Sequence, residues 1–306
     1  MHQTATACAP GSIGNVGPGI DIVGLAVAGL GDRVTLTRRS GTGITVVAAG
    51  HPDLPTDPAR HSSAIAAAAV FRRARFNDGV DMVVEKGLPL SGGQGGSAAS
   101  AIAGAVAANH LCDAKLDTIS LLECGLEAES TVAGHHADNL APALLGGLIL
   151  IRSLDPIDLV QLPVPPQLRI VLVHPAQQLR TSTARAALPE MITREIALTQ
   201  AANIAAMVAA AYLGDLALLG RSIDDRIAEP ARRHLLPGFD DAKQASREAG
   251  ALGCSISGAG PTVFALVDDD ETGRRVGDAM VAAYQRAGVD ATARVEKVDM
   301  NGTRNG

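Results

Sequence analysis

Tryptophan is absent from this chain, and its two tyrosines and four phenylalanines bring the aromatic share to only 2% of 306 residues. Recognition of bases by aromatic stacking is therefore excluded. No run of Lys or Arg stands out, and the balance of 26 basic against 32 acidic side chains leaves a net charge of −6. Without a basic face, no nucleic-acid partner is expected. The apolar segment ALLGGLILI is too short to span a bilayer, and the opening MHQTATACAP lacks the basic flank and apolar core of a signal peptide. These features predict a soluble cytoplasmic protein with no membrane partner. The four cysteines, Cys8, Cys112, Cys124 and Cys254, show neither metal-ligand spacing nor a disulfide framework, and read as small thiols in a reducing compartment.

What the chain does have is a hydrophobic fraction of 47%, with 33 glycines and 16 prolines, as expected of a turn-rich globular protein. Strand-like runs occupy 4–9, 32–37, 44–48, 80–85, 147–152, 169–174, 262–267 and 291–298. Helical runs occupy 62–74, 97–111, 118–130, 192–213, 214–225, 239–249 and 270–287. The two kinds mix without strict alternation, so the fold class is α+β rather than doubly wound. The proline-rich LDPIDLVQLPVPPQL (154–168) predicts a boundary between two domains, 1–155 and 156–306.

Glycine concentrates in three places. PLSGGQGGSAASAIAGAVAAN (89–109) sets four glycines in five positions directly before a helical run. Such a loop can press its N–H groups against a ligand, and the helix dipole adds positive character at the same point. That combination favours a phosphate over the alternative of a flexible linker. PGSIGNVGPGID (10–21) and SISGAGPTVFALV (255–267) are the other two, and three such stretches suggest segments converging on one polyanion. A Walker loop is excluded, because Gly96 is followed by Ser97 and Ala98 where a Lys is required. Gly93, Gly95 and Ala98 match a dinucleotide fingerprint in outline, but Pro89 and Leu90 separate the first glycine from the strand, and Asp113, the acidic candidate, has no second strand before it.

Together the three stretches resemble the motifs of the GHMP kinases, PLSGGQGGSAA (89–99) being similar to the second motif and GCSISGAGPTVFAL (253–266) to the third. Within that superfamily NVGPGIDIVGLAV (15–27), HADNLAPALLGGLIL (136–150), TSTARAALP (181–189) and EPARRHLLPGF (229–239) look like segments of the homoserine kinases. The resemblance implies a two-domain GHMP kinase fold with its active site in the cleft between the halves. It also implies an ATP-dependent kinase that phosphorylates the hydroxyl of L-homoserine on the path to threonine, and the rival readings are another small-molecule GHMP kinase or a non-catalytic ligand-binding regulator. Dimers are common among such enzymes, which points to a homodimer.

Site roles follow from the same resemblance. Pro89, Leu90, Ser91, Gly92, Gly93, Gln94, Gly95, Gly96, Ser97, Ala98 and Ala99 would form the ATP-binding loop, and Ser97 and Glu129 would hold Mg²⁺. Asn15, Asp21, His136 and Asn139 would line the amino-acid pocket, with Arg185 and Arg232 on its carboxylate, to which a planar guanidinium fork is suited. Asp21, Asn139 and Thr181 would stand nearest the reacting hydroxyl. The first motif carries Ser12 and Ile13 and no Lys, so Asp21 is expected to position the acceptor rather than remove its proton. Taken singly, Arg185 and Arg232 read equally as solvated helix arginines, Ser97 as a helix cap, and Glu129 as an exposed acid. The loop departs from the usual GLGSS in reading GQGGS, and losing a hydroxyl at Gly96 predicts weakened nucleotide binding.

Overall fold

Residues 2–132 and 134–306 are described by a computed structural model. The chain opens with β1 (Thr4–Gly14) and the long β2 (Val23–Arg39), followed by β3 (Ile44–Ala48), α1 (Ser62–Ala74) and β4 (Gly79–Glu85). Next come α2 (Gly96–Cys112), α3 (Thr118–Val132), α4 (Leu140–Leu145) and the hairpin β5 (Leu148–Leu154) and β6 (Ile157–Leu162). The second half holds β7 (Arg169–Pro175), α5 (Thr181–Ala186), α6 (Arg194–Leu213), α7 (Leu216–Ser222) and α8 (Ala228–Arg232). It ends with α9 (Phe239–Glu248), β8 (Gly253–Ile256), β9 (Val263–Val267), α10 (Asp270–Arg286), β10 (Ala291–Glu296) and β11 (Arg304–Asn305).

Two sheets organise these elements. In the first, the order is β11-β1-β2-β4-β3, with β5 also pairing to β2 and β6 to β5; in the second it is β10-β7-β9-β8. Alternation sets the faces of the β1–β2 pair: Ala5, Ala7 and Ala9 turn inward with Val34 and Leu36, while Thr4 meets Thr37 and Thr6 meets Thr35 on the other face. Against the inner face lies α2, a run of small residues apolar all round and buried nearly all round. It packs closely on α1 because Gly104 has no side chain; a Cβ there would stand 2.4 Å from Ser63 O.

The lobes share a core in which Ile13, Val23, Leu25 and Val27 of the first sheet meet Leu172, Phe264 and Leu266 of the second. A further core under α9 and α10 gathers Val171, Val173, Phe239, Met280 and Tyr284. The expected division at 155/156 cuts the β5–β6 hairpin, whose strands pair from Leu148↔Leu162 to Leu154↔Ile157. The first lobe therefore continues to Leu162, and β11 returns to it from the far end of the chain. Proline at 156 marks the turn of a hairpin instead of a linker. Helix α6 stands apart from the rest: it is long and apolar enough to cross a membrane by length and composition, yet only Gln200, Met207, Ala210 and Ala211 of it are buried.

Candidate active site

The loop between β4 and α2 is shaped by backbone that only glycine takes easily. Gly93 and Gly95 have φ of +72° and +67°. A Cβ on Gly93 would come within 2.6 Å of Ser257 O, and one on Gly95 within 2.1 Å of Ser12 Oγ. Both collisions are with the other two glycine stretches, which is how the three converge. Ser257 Oγ donates to Gly93 O at 2.6 Å, Ser12 N to Gln94 O at 3.1 Å and Gly258 N to Gly14 O at 3.0 Å. The first N–H groups of α2 then face the cleft without helical carbonyls to bond.

Two features of this loop were invisible in the sequence. Gln94 is buried and turns away from the cleft: Arg294 Nη2 donates to its Oε1 at 2.7 Å, and its Nε2 donates to Thr262 Oγ1 at 3.1 Å, which in turn meets His174 Nδ1 at 2.9 Å. The polar residue in the apolar family position thus ties the loop to the second sheet. Gln94→Leu is expected to destabilise the protein by about 1–3 kcal/mol, because it strands the Arg294 donor and the Thr262 acceptor; urea unfolding checks this, and an unchanged midpoint would count against the bridge. The second feature is Lys86. Its Nζ donates to Gly96 O at 2.9 Å and Ser100 Oγ at 3.0 Å and is paired with buried Asp32, while lining the cleft. A Cβ on Gly96 would lie 3.3 Å from that ammonium, so glycine at 96 leaves room for a cation where the family loop has a hydroxyl. A lone Lys after a strand offers no sequence signal.

The same cleft gathers the predicted acceptor residues. Asn15 and Asp21 sit in left-handed backbone with φ of +69° and +59°, a conformation held by surrounding bonds. Asn15 Nδ2 donates to Gly258 O at 2.9 Å, and its Oδ1 accepts from Asp21 N at 3.1 Å. Arg185 grips Asp21 with both terminal nitrogens, at 3.1 and 2.8 Å. Burial works to raise the Asp21 pKa, but Arg185, and more weakly His136 and Arg232, hold it below the ordinary carboxylate range. Arg232 is buried, donating to Ala184 O at 3.0 Å and Gly258 O at 2.9 Å. Burial and the nearby Arg185 charge press its pKa downward, against the weaker opposing pull of Asp225, Asp21 and Asp138. Arg185 Nε is buried without a partner among the described residues. His136 Nδ1 stands 3.2 Å from Asp138 Oδ1; burial opposes its charge, yet Asp138, Glu129 and Asp21 keep its pKa raised. Asn139 accepts from Ser12 Oγ at 2.9 Å, and Thr181 opens α5 at the cleft wall.

In the same cleft, Ser97 Oγ donates to Glu129 Oε1 at 3.2 Å. Glu129 is 2% exposed, its Oε2 has no partner among the described residues, and burial pushes its pKa up to about 7 against the opposing pull of His136 and Ser97. Among the described residues no group of three His, Cys, Asp or Glu is placed to hold a metal alone. A hydroxyl and one orphaned carboxylate oxygen suit a cation that takes most of its ligands from phosphate and water.

These groups line one cleft of about 450 Å³. Pro89 to Gly93 and Gly95 to Ser97 border it, as do Asn15, Asp21, Glu129, His136, Asn139, Thr181, Arg185 and Arg232. Gln94, Ala98 and Ala99 do not; the two alanines are fully buried in the core, so any part they play in the loop is through backbone alone.

Residues 62–147 match the GHMP kinases N terminal domain and residues 207–286 the GHMP kinases C terminal domain, so the two lobes are those of a GHMP kinase. The relatives narrow the class. The chain is 43% identical to homoserine kinase of Chlorobium phaeobacteroides (strain BS1) across 92% of both chains. It is 42% identical to homoserine kinase of Arabidopsis thaliana across 97% of this chain and 83% of that one. The crystal structure of homoserine kinase from Cytophaga hutchinsonii, 37% identical, superposes with a TM-score of 0.96 over 100% of this chain and 98% of the other. The chain belongs to the homoserine kinase family.

Proposed function

We propose that the protein transfers the γ-phosphoryl group of ATP to the side-chain hydroxyl of L-homoserine, releasing O-phospho-L-homoserine for threonine biosynthesis in the cytoplasm. The observation that carries the reading is that Arg185 and Arg232 line the same cleft as the glycine loop and the start of α2. The loop N–H groups receive the phosphates, while Leu54, Pro55 and Val132 with His61 and Ser62 offer a wall for adenine. Ser97 and Glu129 are the residues that would hold Mg²⁺, and bound there the ion supplies charge that offsets the triphosphate. The paired guanidiniums select an acceptor bearing a carboxylate.

Asp21, held by Arg185 with a lowered pKa, is a weak proton acceptor and serves to position the acceptor. Asn139 and Thr181 border the place of the reacting hydroxyl, and Asn15 and His136 complete the pocket. The working unit is a homodimer. ADP release with Mg-ATP and a panel of L-homoserine, L-threonine, pantoate, mevalonate and galactose tests the assignment: turnover with homoserine is expected to exceed the rest, and ATP binding without turnover on any acceptor would overturn it.

A further inference from the structure

The register of the second sheet sets three polar side chains on the face it turns toward the first lobe. His174 lies opposite Thr292 on β10, and Val173 opposite Val263 on β9. Thr262, just ahead of β9, therefore falls beside His174 on one face, and Arg294 follows Thr292 on that face by one alternation. The same face carries Leu172, Phe264 and Leu266 into the core between the lobes; beyond Leu172 and Phe264 it turns polar and meets the glycine loop. Gln94 is the one residue of positions 92–96 with a side chain, and that side chain ends here. Arg294 Nη2 donates to its Oε1 at 2.7 Å, and its Nε2 donates to Thr262 Oγ1 at 3.1 Å. Thr262 is fully buried, and its backbone N–H donates to Gly92 O at 3.3 Å.

These bonds have a forced direction. Arginine has donors only, so the amide of Gln94 must present Oε1 to Arg294 and Nε2 to Thr262. The Thr262 oxygen thereby accepts from Gln94, and its one proton is left to donate to His174 Nδ1, 2.9 Å away. His174 has to be a neutral ring with its proton on Nε2, the acceptor that ends a chain running from Arg294 through Gln94 and Thr262. Burial, and then the Arg294 charge, hold the His174 pKa below its ordinary value, which keeps that acceptor available.

We propose that His174 is a positioning residue for the nucleotide: as the terminal acceptor it locks the single side chain of the glycine loop, and with it the neighbouring N–H groups that receive the phosphates. His174, Thr262 and Arg294 do not line the cleft, so they act through Gln94 and not by contact with the ligand. Gly93 and Gly95 flank Gln94 in left-handed backbone and bring no side chain to restrain it. Backbone carbonyls are pinned by Ser257 Oγ on Gly93 O and Ser12 N on Gln94 O; the chain ending at His174 pins the side chain between them. This role rests on ATP binding at the loop and is independent of which acceptor is phosphorylated.

Isothermal titration calorimetry of the full chain with Mg-ADP tests it, because nucleotide affinity reads the loop whatever the acceptor. His174→Leu is expected to weaken Mg-ADP binding about 5-fold, the loss of about one hydrogen bond, with circular dichroism unchanged. His174→Asn, whose Oδ1 can accept in place of Nδ1, is expected to bind within about twofold of wild type. In a Gln94→Leu background His174→Leu is expected to add nothing, since both break the same chain. KM for ATP should follow the ADP affinities while KM for L-homoserine holds. Should His174→Leu fail to fold, Thr262→Val takes its place, with Thr262→Ser as the variant that keeps the hydroxyl. Wild-type affinity in folded His174→Leu, no recovery in His174→Asn, additive losses in the double variant, or an equal rise in KM for L-homoserine would each overturn the proposal. Failure to phosphorylate homoserine would leave the ADP affinities readable and count against the acceptor assignment alone.

Discussion

Arg185→Ala is expected to raise KM for homoserine and lower kcat/KM by about 10²-fold, corresponding to about 3 kcal/mol, because truncating one member of a charge pair leaves its partners uncompensated. The structure makes the loss twofold in origin. One guanidinium that would receive the acceptor carboxylate disappears, and Asp21, now without its two hydrogen bonds, loses the group that orients it and depresses its pKa. Arg185→Lys should recover only part of the loss, since an ammonium cannot reproduce the two-pronged grip. KM for ATP should stay within a small factor of wild type, as Arg185 hydrogen-bonds Asp21 and not the glycine loop. Steady-state kinetics with both substrates varied decides the matter. An unchanged homoserine KM would remove Arg185 from acceptor recognition, and an equal rise in both KM values would indicate a general collapse of the cleft.

Glu129→Gln carries the second large effect, a fall in kcat of about 10²–10³-fold, the size typical when a charge-stabilising group is removed from a transition state. The same substitution has a second readout without substrate. In the metal-free protein burial holds the Glu129 pKa at about 7, against an ordinary value of 4.5. The folded state therefore binds a proton more tightly than the unfolded one, and this group's contribution to stability is full below pH 4.5 and is lost as pH rises toward 7. Melting temperature of the metal-free wild type should fall across that window by more than that of Glu129→Gln, which has no proton to lose. Parallel pH profiles for the two proteins would mean that Glu129 is not a buried, isolated acid. The reason for tolerating such a group is the unpartnered Oε2 beside Ser97: an orphaned oxygen in a cleft costs stability until a cation meets it.

Much of this protein was determined locally and could be read in the chain. The three glycine stretches, the helix after the second of them and the α+β mixture all follow from backbone rules that act within a few residues. The roles of Asn15, Asp21, Arg185 and Arg232 came from resemblance, since a lone Asp or Arg has no signature of its own.

The meetings across distance come from the packing of the whole chain. Asp21 and Arg185 lie 164 positions apart, and Lys86 and Asp32 are 54 apart; no period or spacing encodes such pairs, because they depend on how β2, β4 and α5 are brought together by the cores. Gln94 reads only as a departure from the usual loop, and its burial against Arg294 and Thr262 shows it to be a strut. Proline at 156 reads as a linker, and only the strand pairing on either side shows a hairpin. For α6 the composition calls for burial on every side, but which sides the lobe supplies is a matter of packing, and packing leaves one of them open.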